Sequence, residues 1–203
     1  MLRLLVIAFL SISAATIALA DAEFSLTIDG EMHDATLGTE QTITLKNGQK
    51  LTFKLERKAT VTFKAMGFAF AHPGYLTVAS KEIENGVFQY FLTSATGTIV
   101  LVQTYNDLDA TALVDLMMGQ ITNDDVAAGA IRDIQLSTRT LADQTVVSGK
   151  TATVKAPGDD VFVEVLAKKQ GRGGVILLTR IDRATAPEDQ TLIDQFWSTL
   201  QLD

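Results

Sequence analysis

Residues 160–182 read DVFVEVLAKKQGRGGVILLTRID. Val161-Phe162-Val163 and Val175-Ile176-Leu177-Leu178 are apolar at consecutive positions. A strand with one wet face alternates apolar and polar residues, so runs of this kind suit strands covered on both faces. Gln170-Gly171-Arg172-Gly173-Gly174 joins the two runs as a hairpin turn. The stretch therefore predicts a hairpin inside a sheet that is buried on both sides.

The neighbouring sequence supplies the rest of that sheet and its cover. Upstream, IQLSTRTL and TVVSGKTATVKA read as further strands. Downstream, Thr185-Ala186-Pro187-Glu188 fits a capping box. Leu192, Ile193, Phe196, Trp197 and Leu200 then fall on one helical stripe, which predicts a C-terminal helix packed on the sheet. From Phe68 to Asn106 the runs FAFAH, YLTVAS, VFQYFLTS and TIVLVQTY are separated by Pro73-Gly74, Glu84-Asn85-Gly86 and Ala95-Thr96-Gly97. That pattern predicts an antiparallel meander. In LDATALVDLMMGQIT, Leu113, Leu116, Met117, Met118 and Ile121 are spaced for a helix, with Asp109 as its N-cap. Met117 and Met118 read as core filling. Asn123 is expected to cap a second short helix, DDVAAGAIRD.

The stretch QTITLKNGQKLTFKLE, residues 41–56, alternates strictly. Ile43, Leu45, Leu51, Phe53 and Leu55 are apolar, and Thr42, Thr44, Lys46, Lys50, Thr52 and Lys54 are polar. A two-residue loop would set Leu45 against Lys50. A three-residue loop, Lys46-Asn47-Gly48, sets Leu45 against Gln49 and Ile43 against Leu51, so that all the apolar side chains share one face. The second arrangement predicts a type I turn with a glycine bulge.

The chain opens MLRLLVIAFLSISAATIALA, with basic Arg3, an apolar run from Leu4 to Leu10 and Ala18-Leu19-Ala20 before Asp21. This reads as a signal peptide, residues 1–20, cleaved after Ala20, which places the mature protein in the periplasm or outside the cell. No later stretch is long and apolar enough to span a membrane. The sequence has no cysteine, which excludes a disulfide framework. The mature chain carries 16 Lys and Arg against 24 Asp and Glu, a net −8 that argues against nucleic acid.

Few side chains here suit chemistry. His72 lies on the strand face of Phe68 and Phe70, before a proline that holds it extended. The sequence has no G-x-S-x-G elbow. His72 therefore reads as structural, with a hydrolase base as the least favoured alternative. His33 reads as a solvated loop residue, and two distant histidines without cysteine do not make a zinc site. Ser148-Gly149-Lys150-Thr151 lacks the earlier glycine of a P-loop, since position 144 is Gln144. The acidic pairs Asp124-Asp125, Asp159-Asp160 and Glu188-Asp189 are expected to be solvated caps. No cofactor is implied. The feature that stands out is charge segregation. Residues 41–64 hold Lys46, Lys50, Lys54, Arg57, Lys58 and Lys64 against Glu56, a local +5, while the rest of the mature chain carries −13. Lysines on a ribbon can simply discourage edge pairing. They can also form a docking surface for an acidic partner or anionic lipid, and Lys46, Lys50, Lys54, Arg57 and Lys58 are the candidate partner-binding residues.

From Phe68 to about residue 200, FAFAHPGYL, VFQYFLTS, TIVLVQTY, ALVDLMMGQI, the LADQTVVSGKTA hairpin and LIDQFWSTLQ resemble, in order, the PsbP-like α/β/α superfamily. That group includes the photosystem II extrinsic subunit, a Ran-binding nuclear transport factor and small bacterial envelope proteins. Tyr75 stands where a tryptophan is often found, and the hairpin at 41–64 lies outside the pattern. The resemblance implies a binding or assembly factor with no shared catalytic residue.

The sequence is thus expected to fold as an α+β protein, with a mostly antiparallel sheet and helices packed on both faces as an α/β/α sandwich. A signal peptide (1–20), an N-terminal β-hairpin extension (21–66) and an α+β domain (67–203) are its expected divisions. It is expected to be a non-catalytic accessory protein that engages another envelope protein or complex. The alternative is a carrier of an apolar small molecule or lipid in a cavity lined by Met117, Met118, Phe196 and Trp197.

Overall fold

The computed structural model describes residues 24–203. The expected signal peptide, residues 1–20, lies outside the described residues. The chain divides into two compact units, the first ending at Arg57 and the second beginning at Lys58.

The first unit holds two antiparallel hairpins. β1 (Phe24–Ile28) pairs with β2 (Glu31–Ala35) across Asp29 and Gly30, whose φ angles of +49° and +79° suit a tight two-residue turn. β3 (Glu40–Thr44) pairs with β4 (Lys50–Lys54), with Ile43 opposite Leu51 and Thr42 opposite Thr52. The Leu45 N–H donates to the Gln49 carbonyl at 2.8 Å, and the Gly48 N–H donates to the Leu45 carbonyl at 2.8 Å. Gly48 takes a φ of +81°, where a Cβ would be strained. This is the three-residue loop that the alternation requires, with the side-chain faces sorted as expected.

The second unit is built on a seven-stranded antiparallel sheet. Its strands are β7 (Ala79–Glu84), β8 (Val87–Thr93), β9 (Ile99–Tyr105), β10 (Ile131–Thr140), β11 (Val146–Ala156), β12 (Asp159–Gln170) and β13 (Gly173–Asp182). Their order is β10-β11-β12-β13-β9-β8-β7. β12 and β13 form the hairpin read from residues 160–182, with Val165 opposite Leu178 and Gln170 opposite Gly173. Both faces are buried. Val163, Val165, Ile176 and Leu178 pack in one cluster with Val114 and Met118 of α1 (Val114–Ala127). Leu166, Val175, Leu177 and Ile181 pack in the other with Leu192, Ile193, Phe196 and Trp197 of α2 (Gln190–Thr199).

The α/β/α sandwich is corrected by this architecture. Among the described residues there are two α-helices against fourteen strands, so the protein is predominantly antiparallel sheet. α1 lies against β11 and β12, and the 3₁₀ turn that precedes it lies against β12 and β13. On the other side α2 packs on β6 (Phe68–Pro73), which belongs to a separate three-stranded sheet with β5 (Thr60–Ala65) and β14 (Gln201–Leu202), in the order β14-β6-β5. Phe68 and Phe70 enter the core from that small sheet. The expected meander is thereby shortened to β7-β8-β9, because β6 pairs with β5 and β14. Alternation marks FAFAHP as a strand but is identical whichever sheet the strand joins.

Two helix boundaries also differ. α1 runs unbroken to Ala127, so Asn123 is interior and caps no second helix. Asp109 does cap the 3₁₀ turn that leads into α1, accepting from the Thr111 N–H at 3.1 Å. The capping box at Thr185 is not made: Thr185 donates its hydroxyl to Asp182 at 2.8 Å, and the turn at Pro187 begins without a side-chain cap.

Candidate functional site

The basic ribbon is the β3–β4 hairpin and the chain that leaves it. Its register places Lys50 opposite Thr44 and Lys54 opposite Glu40, all on the exposed face, with a Thr42–Thr52 hydroxyl bond of 2.9 Å between them. Ile43, Phe53 and Leu55 take the half-buried face, although Leu51 remains 37% exposed. Lys46 lies 3.5 Å from Glu31, and Lys54 pairs with Glu56. Both pairs are exposed and screened by solvent, so a partner's carboxylates can replace them. The Lys54 ammonium holds the Glu56 carboxyl below its ordinary value, first by hydrogen bonding and then by charge. Lys50 and Arg57 make no ion pair among the described residues. Arg57 closes the first unit and Lys58 opens the second.

His72 is buried at the end of β6, and its Nδ1 lies 2.9 Å from the carbonyl of Pro73. Phe70 is its aromatic neighbour, with ring centroids 6.1 Å apart. Among the described residues, neither a serine nor a carboxylate is hydrogen-bonded to it. His33 corrects the expected solvated loop: it sits on β2 opposite Leu26, half-buried, with Nε2 buried and unpaired.

The acidic pairs divide. Asp189 is 8% exposed rather than solvated, and it accepts hydroxyl bonds from Ser94 and Thr96. Burial pushes its carboxyl up, but those hydroxyls more than reverse the effect and leave it below the ordinary value. They tie the β8–β9 turn to the start of α2. Asp125 and Asp159 line a cavity of about 250 Å³ with Asp182, Arg180, Val154 and Val161. Arg180 lies 3.7 Å from Asp125. No cluster of three or more metal-ligating side chains occurs among the described residues.

The apolar cavity expected between Met117, Met118, Phe196 and Trp197 does not exist as one space. Met117 and Met118 pack in the α1 cluster, and Phe196 and Trp197 in the α2 cluster. Alternation along β12 and β13 puts those clusters on opposite sheet faces.

One buried charge was only faintly signalled in the sequence. Glu164, on β12, is 2% exposed and accepts from Ser137 Oγ at 2.8 Å and Arg139 Nε at 2.7 Å. The Arg139 guanidinium sits 4.8 Å over the Trp197 ring. A lone Glu in VFVEVLA could have marked a buried charge, but its partner lies 25 residues away.

No family model and no curated protein matches the chain. In structure it is similar to the solution structure of cyanobacterial PsbP (CyanoP) from Synechocystis sp. PCC 6803. The likeness has a TM-score of 0.47 at 12% identity and covers 71% of this chain and 93% of that one.

Proposed function

We propose that this protein is a non-catalytic accessory factor of the cell envelope, docking on an acidic protein through Lys46, Lys50, Lys54 and Arg57, with Lys58 next in the chain. One observation carries the reading: the β3–β4 register turns Lys50 and Lys54 outward together while the apolar side chains take the other face. From Glu40 to Arg57 the ribbon holds Lys46, Lys50, Lys54 and Arg57 against Glu40 and Glu56, a net +2 on a mature chain of net −8, so its charge is set against that of the whole molecule. An outward cation array of this kind raises association rates with an acidic surface and makes them salt-dependent. Export rests on the N-terminal pattern, and the N-terminus of the protein purified from the envelope should be Asp21.

The test compares the mature protein with a Lys46→Glu, Lys50→Glu, Lys54→Glu variant by crosslinking in intact envelopes over a range of salt. Charge reversal should abolish the crosslinked complex, and salt should weaken only the unaltered protein's complex. Equal crosslinking by both proteins would end the ribbon reading. Binding to vesicles of anionic lipid, without a crosslinked protein, would replace the acidic protein with a membrane surface.

A further inference from the structure

The seven-stranded sheet has two edges, and they are built differently. β7 carries Lys81, Glu82 and Glu84, with a register irregularity between Glu82 and Glu84. Charge and irregularity are devices that discourage strand addition. β10 also carries charge, at Arg132, Asp133 and Arg139, but it has no irregularity: its ten residues pair in unbroken register with β11, its one strand neighbour among the described residues. Leu136 is 87% exposed and Ile134 is 41% exposed.

The backbone of β10 is also poised. The Leu141 N–H donates to the Thr145 carbonyl to close the β10–β11 hairpin. Hydrogen-bonded pairs alternate along an antiparallel ladder, so the even residues 132–140 direct their N–H and C=O groups away from β11. Their side chains lie on the α1 face, where the Arg132 guanidinium bonds Thr122 at 2.7 Å and Asn123 at 2.9 Å. Ser137 and Arg139 lie on the other face with Glu164.

We propose that β10 pairs with β10 of a second copy of this chain, antiparallel about a twofold axis at Leu136, joining two sheets into one. The sequence RDIQLSTRT, 132–140, is self-complementary in that register. Leu136 meets Leu136 of the second copy, Ile134 meets Thr138, and Gln135 meets Ser137. Asp133 meets Arg139, a carboxylate opposite a guanidinium, and the twofold makes that match twice. Arg132 meets Thr140, so no like charges oppose each other. Centring the pair on Gln135 or on Ser137 loses the Asp133–Arg139 match. The pairing is independent of the basic ribbon.

The chain has no cysteine, so single cysteines read the register directly. Leu136→Cys faces itself across the axis, within the Cα separation a disulfide spans. Ile134→Cys and Thr138→Cys each face the other's position and lie roughly 13 Å from their own symmetry mates, at about 3.3 Å per residue. Oxidation should join Leu136→Cys chains rapidly, leave either other single variant unjoined, and join a mixture of those two. Sedimentation of the unaltered mature protein should give twice the mass of one chain, and Leu136→Lys should give the single mass. If Leu136→Lys does not fold, the cysteine series decides. A single mass for the unaltered protein at its highest soluble concentration would overturn the pairing. So would equal oxidation at all three positions, or a dimer that survives Leu136→Lys.

Discussion

Arg139 and Glu164 form an ion pair whose members stand unequally towards water. The Glu164 side chain is 2% exposed and the Arg139 side chain 41%. Removing one partner of a buried pair costs about 3–5 kcal/mol, because the charge left behind is desolvated and unmatched. In Arg139→Ala that stranded group is the carboxylate, which keeps only the Ser137 hydroxyl. Partial access along the vacated guanidinium lowers the cost, while the lost Arg139–Trp197 contact adds about 0.5–1 kcal/mol. The expected total is about 3 kcal/mol. Glu164→Gln is the milder change. Gln keeps the shape and one acceptor, and the half-exposed guanidinium can turn to water, so about 1 kcal/mol is expected. Arg139→Met with Glu164→Leu should return close to the unaltered stability, since a buried pair replaced by apolar groups is often neutral. Urea unfolding followed by far-ultraviolet circular dichroism gives the three values. Trp197, the one tryptophan, adds a local fluorescence signal. Glu164→Gln costing as much as Arg139→Ala, or Arg139→Ala lying within about 1 kcal/mol of the unaltered protein, would show that no carboxylate is stranded.

Three further outcomes are expected. Gln144 holds a φ of +68° at the bulge position of the β10–β11 turn, where Gly48 serves the β3–β4 turn. Gln144→Gly should stabilise by about 0.5 kcal/mol and Gly48→Ala should destabilise by about 1 kcal/mol, both read by urea unfolding. A Cβ on Gly149 would lie 2.1 Å from the Val165 carbonyl oxygen on β12, so Gly149→Ala should destabilise by about 1–3 kcal/mol, and a variant that melts with the unaltered protein would refute the close approach. Asp143, Asp182 and Asp189 are each pushed up by burial and brought below the ordinary carboxylate value by hydrogen bonds. Folded values below unfolded ones mean that this stability is fully present above about pH 4 and is lost as pH falls through the folded values. Asp189→Asn should flatten the acid limb of a melting-temperature profile, and an unchanged limb would remove Asp189 from that account.

Charge was the legible part of the candidate site. Lys46, Lys50 and Lys54 alternate with apolar residues, so their common outward face follows from the two-residue strand repeat. The carboxylates that meet two of them were less legible: Glu56 is two residues from Lys54, but Glu31 comes from another hairpin. The buried polar groups were hidden for the same reason. Asp189 reads as a helix-start acid, and only the β8–β9 turn, 93 to 95 residues earlier, removes it from water.

What the chain order settles by itself is local. Side-chain parity decided that 160–182 is a hairpin buried on both faces, and that Lys46-Asn47-Gly48 is a three-residue loop. Both follow from which residues one strand or one turn can bring to the same side. The tertiary structure alone decided that FAFAHP leaves the main sheet for β5 and β14, that two helices rather than helical layers cover it, and that Met118 and Trp197 never share a cavity. Those outcomes depend on which distant surfaces bury each other best, and period-two alternation is blind to the identity of the surface it meets.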